Sequence, residues 1–163
     1  PREIVDAVRA RRGGALLELD RMLLHSPELA MGWNVYLGTI RARLQLPPKL
    51  RELAICVVAV LNRAEYEWTQ HAPGFLDAGG TSAQLDALHD PERARQDAVL
   101  FDATERAALA VAVQMTCTVQ VDEASLAALS RALGPRQVVE FVATVATYNM
   151  VSRFLVALGV EPE

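Results

Sequence analysis

Prolines and glycines cut this chain into segments of helix length, and that punctuation constrains the fold more than any other feature. Ser26-Pro27-Glu28 offers a capping hydroxyl, a proline at the first helical position and an acid in the first turn, which predicts a helix from Pro27 to about Arg43. Pro47-Pro48 opens a second segment, to about Asn62, that is apolar on nearly every side and therefore central. A third runs from Glu65 to about Asp77 and is closed by Gly79-Gly80, with Pro73 predicting a kink or early stop near His71. Before these, Leu16 to Leu24 carries apolar residues at helical spacing after the Gly13-Gly14 break.

The second half follows the same rules. Thr81-Ser82-Ala83-Gln84 and Asp102-Ala103-Thr104-Glu105 both have capping-box spacing, opening a short helix to about His89 and a longer one to about Thr116. Asp122 caps a helix ending at Gly134, and Pro135 starts a last long one that Gly159 stops after Leu158. Asp90 to Gln96, charged and proline-punctuated, reads as a linker, and Cys117 to Val121 is the one short β-looking stretch. The expectation is a single all-α domain over residues 1–163, compact and multi-helical, with seven or eight helices.

Bulk composition narrows the classes of function. With 52% hydrophobic and 22% charged residues the chain is too apolar for disorder, and 6% aromatics leave an aliphatic core. A net charge of −4 argues against a nucleic-acid partner, and the basic stretch Arg9, Arg11 and Arg12 reads as a solvated helix end. The apolar run Leu53 to Leu61 is about half of the ~18–20 residues a bilayer needs, so no membrane partner is expected. No secretory signal is visible, and Pro1 is read as following a removed initiator Met. Cys56 and Cys117 lie far apart and fit no disulfide or zinc framework, which points to a reducing cytoplasm.

Chemistry concentrates between Arg51 and His71. Glu67 and His71 are four residues apart on one predicted helix, so they share a face and can pair. A carboxylate beside an imidazole fixes its tautomer and tunes its pKa, as a general acid/base requires, although such pairs are also common on solvated helices. Glu52 lies in the first turn of the central apolar helix, where a buried carboxylate needs a partner; Arg51, Arg63 and His71 are the candidates. The aromatics Trp33, Tyr36, Tyr66 and Trp68 either pack the core or line an apolar pocket in which Arg51 or Arg153 holds a substrate carboxylate. Cys56 and Cys117 read as buried small hydrophobes, and the three histidines form no cluster suited to a dedicated metal site, so no metal and no cofactor are expected.

The run Arg51-Glu52-Leu53-Ala54, followed after nine residues by Ala64-x-x-Glu67-x-x-x-His71, resembles the core of the carboxymuconolactone decarboxylase and alkylhydroperoxidase D superfamily. The tail Tyr148-Asn149-Met150-Val151-Ser152-Arg153-Phe154-Leu155 is similar to its Tyr-Glu-Trp-x-x-His subgroup. The resemblance implies an alkylhydroperoxidase D-like helical domain that assembles as a homo-oligomer, often a trimer or hexamer, with the tail serving subunit packing. In the peroxidase branch the two cysteines of a Cys-x-x-Cys pair fall at Ala64 and Glu67, and a histidine falls at Tyr66. Without sulfur at those positions the dithiol peroxidase chemistry is not inherited, because peroxide attack needs a thiolate and a resolving thiol. Only Glu52 and His71 of that branch's proton relay carry over, and the lactone decarboxylase branch, with an acid at Glu67 and a histidine at His71, matches better.

Three readings follow. The first is a cofactor-independent enzyme acting on a small carboxylated or lactone substrate by decarboxylation or isomerisation. In it His71 is the acid/base, Glu67 orients it, Glu52 assists, and Tyr66, Trp68, Arg51 and Trp33 bind substrate. The second is a peroxidase or peroxiredoxin-like antioxidant using Cys56 with an external reductant. The third is a non-catalytic oligomeric binding protein in which the Glu/His pair is structural.

Overall fold

The computed structural model describes residues 2–163, and these form ten helices with no strand among them. In chain order they are α1 (Arg2–Arg12), α2 (Glu18–Leu23), α3 (Pro27–Ala42), α4 (Pro48–Leu61), α5 (Glu65–Asp77), α6 (Ser82–Ala87), α7 (Pro91–Ala94), α8 (Ala103–Thr118), α9 (Glu123–Ala132) and α10 (Pro135–Leu158). The all-α class is as expected, but the number of helices is ten rather than seven or eight. The two additions are α1 and α7. In α1 the apolar stripe is short, only Ile4, Val5 and Val8, of which Val8 alone is fully buried, and polar residues surround it. α7 is a single turn inside the expected linker, held because the Asp90 side chain accepts from the Arg93 backbone N–H.

The capping signals largely hold. Thr81 and Asp102 complete capping boxes with Gln84 and Glu105, Asp122 accepts from the Ser125 N–H, and Gly159 ends α10 in the left-handed conformation. Ser26 sits at the N-cap of α3 without a side-chain cap bond, so Pro27 carries that start. Pro73 neither ends nor shortens α5, which continues to Asp77. Both Pro73 and Thr69, whose carbonyl loses its donor, lie on the exposed face, where water can satisfy it. The β-looking stretch is instead the end of α8 and a turn with Val119 at φ 67°, and Cys117 is exposed rather than buried.

α4 is the central rod, buried from Glu52 through Ala59 and packed against α5, α8 and α10. Its burial on all sides follows from the continuous apolar run that interrupts any amphipathic stripe. α10 is the one helix among the described residues long and apolar enough to cross a bilayer, by length and composition alone, a test that buried core helices also pass. It packs on α4 and α8 and buries Glu140, Thr144, Thr147, Tyr148 and Ser152, the pattern of a core helix with polar work to do. Tyr148, Val151, Ser152 and Leu155 are buried within their own chain, so this segment does not serve subunit packing with those side chains.

The turn after α5 is tightly fitted. Gly79 adopts φ 95°, and a Cβ on Gly80 would lie 2.2 Å from the buried Phe75 ring. Gly80→Ala should therefore destabilise the fold by about 1–3 kcal/mol through overpacking. Chemical denaturation reads this directly, and an unchanged midpoint would show that Phe75 moves aside freely.

Candidate functional site

Four helices bring polar side chains to one buried cluster. α4 contributes Glu52, α5 contributes Tyr66, Glu67 and His71, α3 contributes Arg41, and α10 contributes Tyr148 and Ser152. Glu52 and His71 do meet: His71 Nδ1 lies 2.7 Å from Glu52 Oε2. Arg51 Nε donates to the other Glu52 oxygen at 3.1 Å. Gly74 makes this approach possible, since a Cβ there would sit 3.2 Å from Glu52 Oε2.

The far side of the His71 ring is equally defined. Arg41 Nη2 lies 3.3 Å from Nε2, and Arg41 Nε donates to the Tyr148 hydroxyl at 2.8 Å. The Tyr148 ring meets His71 edge-on, 5.0 Å between centroids. A guanidinium can only donate, so Nε2 must accept and the proton sits on Nδ1, facing Glu52. Burial lowers the His71 pKa below its ordinary 6.5, and the Arg41 charge works in the same direction against the Glu52 bond. Burial also opposes the Glu52 charge, yet the bonds from His71 and Arg51 outweigh it and hold that carboxyl below its ordinary value. The pair is thus a carboxylate and a neutral imidazole.

Glu67 corrects the expectation made for it. It does not bond His71 although the two share a helix; its Oε2 meets the Ser152 hydroxyl of α10 instead, and Oε1 has no hydrogen-bond partner. Burial pushes its pKa up to about 8, despite the opposing effects of Ser152 and Arg41. The Ser152 hydroxyl has one proton and two acceptors in reach, Glu67 and the Tyr148 carbonyl at 2.8 Å. A protonated Glu67 resolves that competition by donating to Ser152 Oγ while Ser152 donates to the carbonyl.

Arg41, Tyr66, Glu67, His71 and Tyr148 line a cavity of about 10 Å³, room for about one water. Two residues of that lining reach the C-terminus: Gln70 Nε2 donates to Glu163 at 3.0 Å, and the Tyr66 hydroxyl donates to it at 3.4 Å. The other expected binding residues lie elsewhere. Trp33 packs on Phe154 with centroids 5.1 Å apart, and Trp68 packs on His89 at 4.5 Å. Arg51 is taken up by Glu52, and Arg153 bonds Asn149 on the exposed side of α10. Cys56 is fully buried, and burial together with the Glu52 and Glu67 charges pushes its thiol up to about 12. Arg41 and Gly74 were not expected at the site, and Tyr148 and Ser152 were expected only in a tail serving subunit packing; the signal for these two was a Tyr/Ser pair four apart in an otherwise apolar helix.

The family model that matches the chain, over residues 27–114, is that of the carboxymuconolactone decarboxylase family. The chain belongs to this family. The matched span of this family member holds Arg41, Glu52, Glu67 and His71 but not Tyr148 or Ser152. No curated protein matches it in sequence. Among solved structures it is similar to an uncharacterized peroxidase-related protein from Silicibacter sp. TM1040, with TM-score 0.84 and 20% identity, covering 100% of this chain and 86% of that one. It is also similar to the debrominase Bmp8, with TM-score 0.82 and 18% identity over 99% of this chain and 86% of that one. A cysteine-to-alanine variant of Bmp8 in complex with 2,3,4-tribromopyrrole gives TM-score 0.80 and 18% identity, over 99% and 84%. At these identities the likeness establishes a shared alkylhydroperoxidase-like fold.

The state of Glu67 has a measurable consequence. The unfolded chain releases this proton near 4.5, whereas the folded chain keeps it until about 8. Between those values the folded state binds more protons, so this residue makes stability fall as pH rises through the window. Glu67→Gln removes that contribution, so in urea denaturation across the window the stability of the variant relative to the parent should rise with pH. An identical slope in the two would mean that Glu67 is ionised when folded.

Proposed function

We propose that this family member is a cofactor-independent acid/base enzyme that decarboxylates or isomerises a small carboxylated or lactone substrate. The observation that carries the reading is a neutral His71 and a protonated Glu67 facing one cavity, with pKa values displaced in opposite directions from their ordinary order. The base is His71 Nε2, once substrate displaces the Arg41 contact; Glu52 holds the opposite ring nitrogen and is the positioning residue. Arg41 and the Tyr148 hydroxyl then face the oxygen on which negative charge develops.

In an isomerisation, His71 takes a proton from carbon next to a carbonyl and Glu67 returns one at a second carbon. In a decarboxylation, the C–C bond to the leaving carboxylate breaks, its electron pair forms an enolate, and Glu67 protonates the carbon as carbon dioxide departs. Substrate entry requires the cavity to widen, since it admits only about one water. The structural likeness to a protein that takes up tribromopyrrole supports a small ring as the kind of molecule bound. The Cys56 peroxidase alternative loses its support, because a buried thiol with a pKa of about 12 supplies neither access nor thiolate.

Carboxylated γ-lactones provide the assay, followed by carbon dioxide release and by deuterium incorporation next to the carbonyl. His71→Gln and Glu67→Gln should each lower the rate by roughly 100-fold or more, while Cys56→Ser leaves it nearly unchanged. Full activity in both site variants would sink the mechanism and favour a binding protein.

We also propose that copies associate through the outer faces of α3 and α10, where Met31, Val35, Val139 and Met150 are exposed. Sedimentation should give a homo-oligomer, a trimer or hexamer being the expected size, that Val35→Asp weakens; a monomer at micromolar concentration would rule this out.

A further inference from the structure

Beside the acid/base cluster lies a second, much larger cavity between α1 and α3, about 600 Å³ in volume. Its charged lining is Arg11, Arg12, Arg41 and Arg43. The basic stretch of α1 is a solvated helix end only at Arg9, which is exposed; the Arg11 and Arg12 side chains are only 17% and 11% exposed. One carboxylate serves this group. Asp20 Oδ2 lies 2.9 Å from Arg12 Nε, and Asp20 Oδ1 lies 3.5 Å from Arg11 Nη2. Arg11 also donates to the Asn34 side chain. Arg41 is bonded to two uncharged groups, Tyr148 and His71, and Arg43 makes no side-chain hydrogen bond or ion pair with the described residues.

Four guanidinium groups against one carboxylate leave a surplus of three positive charges around a concave space, in a chain whose net charge is −4. Such crowding is unfavourable unless something answers it. Burial, with Arg12 and Arg41 as like-charged neighbours, lowers the Arg11 pKa to about 10. The volume falls within the range of small-molecule pockets rather than macromolecular surfaces. Gly38 on α3 faces the Arg11 stem, which an added Cβ would meet in ordinary contact at 3.5 Å.

We propose that this cavity is a binding site for a small molecule carrying at least two anionic groups, carboxylate or phosphate, held by Arg11, Arg12 and Arg41 with Arg43 at the rim. Guanidinium groups suit this task because their planar forks pair with both anions through two parallel hydrogen bonds. Arg41 and Arg12 also line the acid/base cavity, so an anion bound here touches the wall that His71 faces. An anion on Arg41 offsets the charge that now lowers the His71 pKa, so the bound ligand raises the basicity of His71. The binding itself does not depend on the acid/base reading.

The test is calorimetric titration of the intact protein with inorganic pyrophosphate and, separately, with citrate. At least one should bind, and more weakly at higher salt. Arg43→Gln, an exposed position that leaves the fold alone, and Arg11→Gln should each weaken it by about tenfold. His71→Gln should retain the binding, which separates this site from the proposed catalysis. Preference for pyrophosphate would assign a phosphorylated ligand, and preference for citrate a polycarboxylate. No binding of either at millimolar concentration overturns the proposal. So does equal weakening by Arg131→Gln, a remote exposed position on α9.

Discussion

The hydrogen bond between Glu52 and His71 sets the terms for everything around it. It joins the central helix to its neighbour at a depth where a lone carboxylate would be strongly destabilising, so the partner is obligatory. Because Glu52 claims Nδ1, the other ring nitrogen is left as an acceptor turned towards Arg41 and Tyr148. Two further helices, α3 and α10, must then place their side chains around a ring that is already fixed. Gly74 belongs to this arrangement as much as the two charged residues, since the carboxylate occupies the space a side chain would need.

Two carboxyl groups of the same cluster end in opposite states. Glu52 is met by a ring N–H and a guanidinium, and Glu67 by a hydroxyl with one proton to share. Both are buried, so burial alone does not decide the charge; the donors do. The site thus holds a proton and a proton acceptor side by side without exchanging them, because their fixed partners differ.

Most of the fold was legible because it is punctuated locally. Asp102 with Glu105, Thr81 with Gln84, and Gly159 act over a few residues, and their effect can be read without knowing the tertiary structure. α1 was overlooked because its apolar face, Ile4, Val5 and Val8, spans little more than one turn amid charged residues and no capping signal marks its start. Pro73 misled because the rule for proline assumes that the freed carbonyl is buried, whereas here it faces outward. At the site, the Glu52 and His71 positions followed from the family motif. The pairing of Glu67 did not, because shared helical spacing says which residues can meet and nothing about a stronger partner arriving from α10.

That arrival has a consequence for how the molecule comes into being. Glu67 and Ser152 are 85 residues apart in sequence, and Arg41 and Tyr148 are 107 apart. The carboxyl and guanidinium groups of the first half are made well before the residues that quench them leave the ribosome. Until α10 is present, Glu67 lacks its Ser152 partner and Arg41 lacks the Tyr148 hydroxyl. A chain cut short before its last helix therefore holds an unfinished cluster rather than a weaker one.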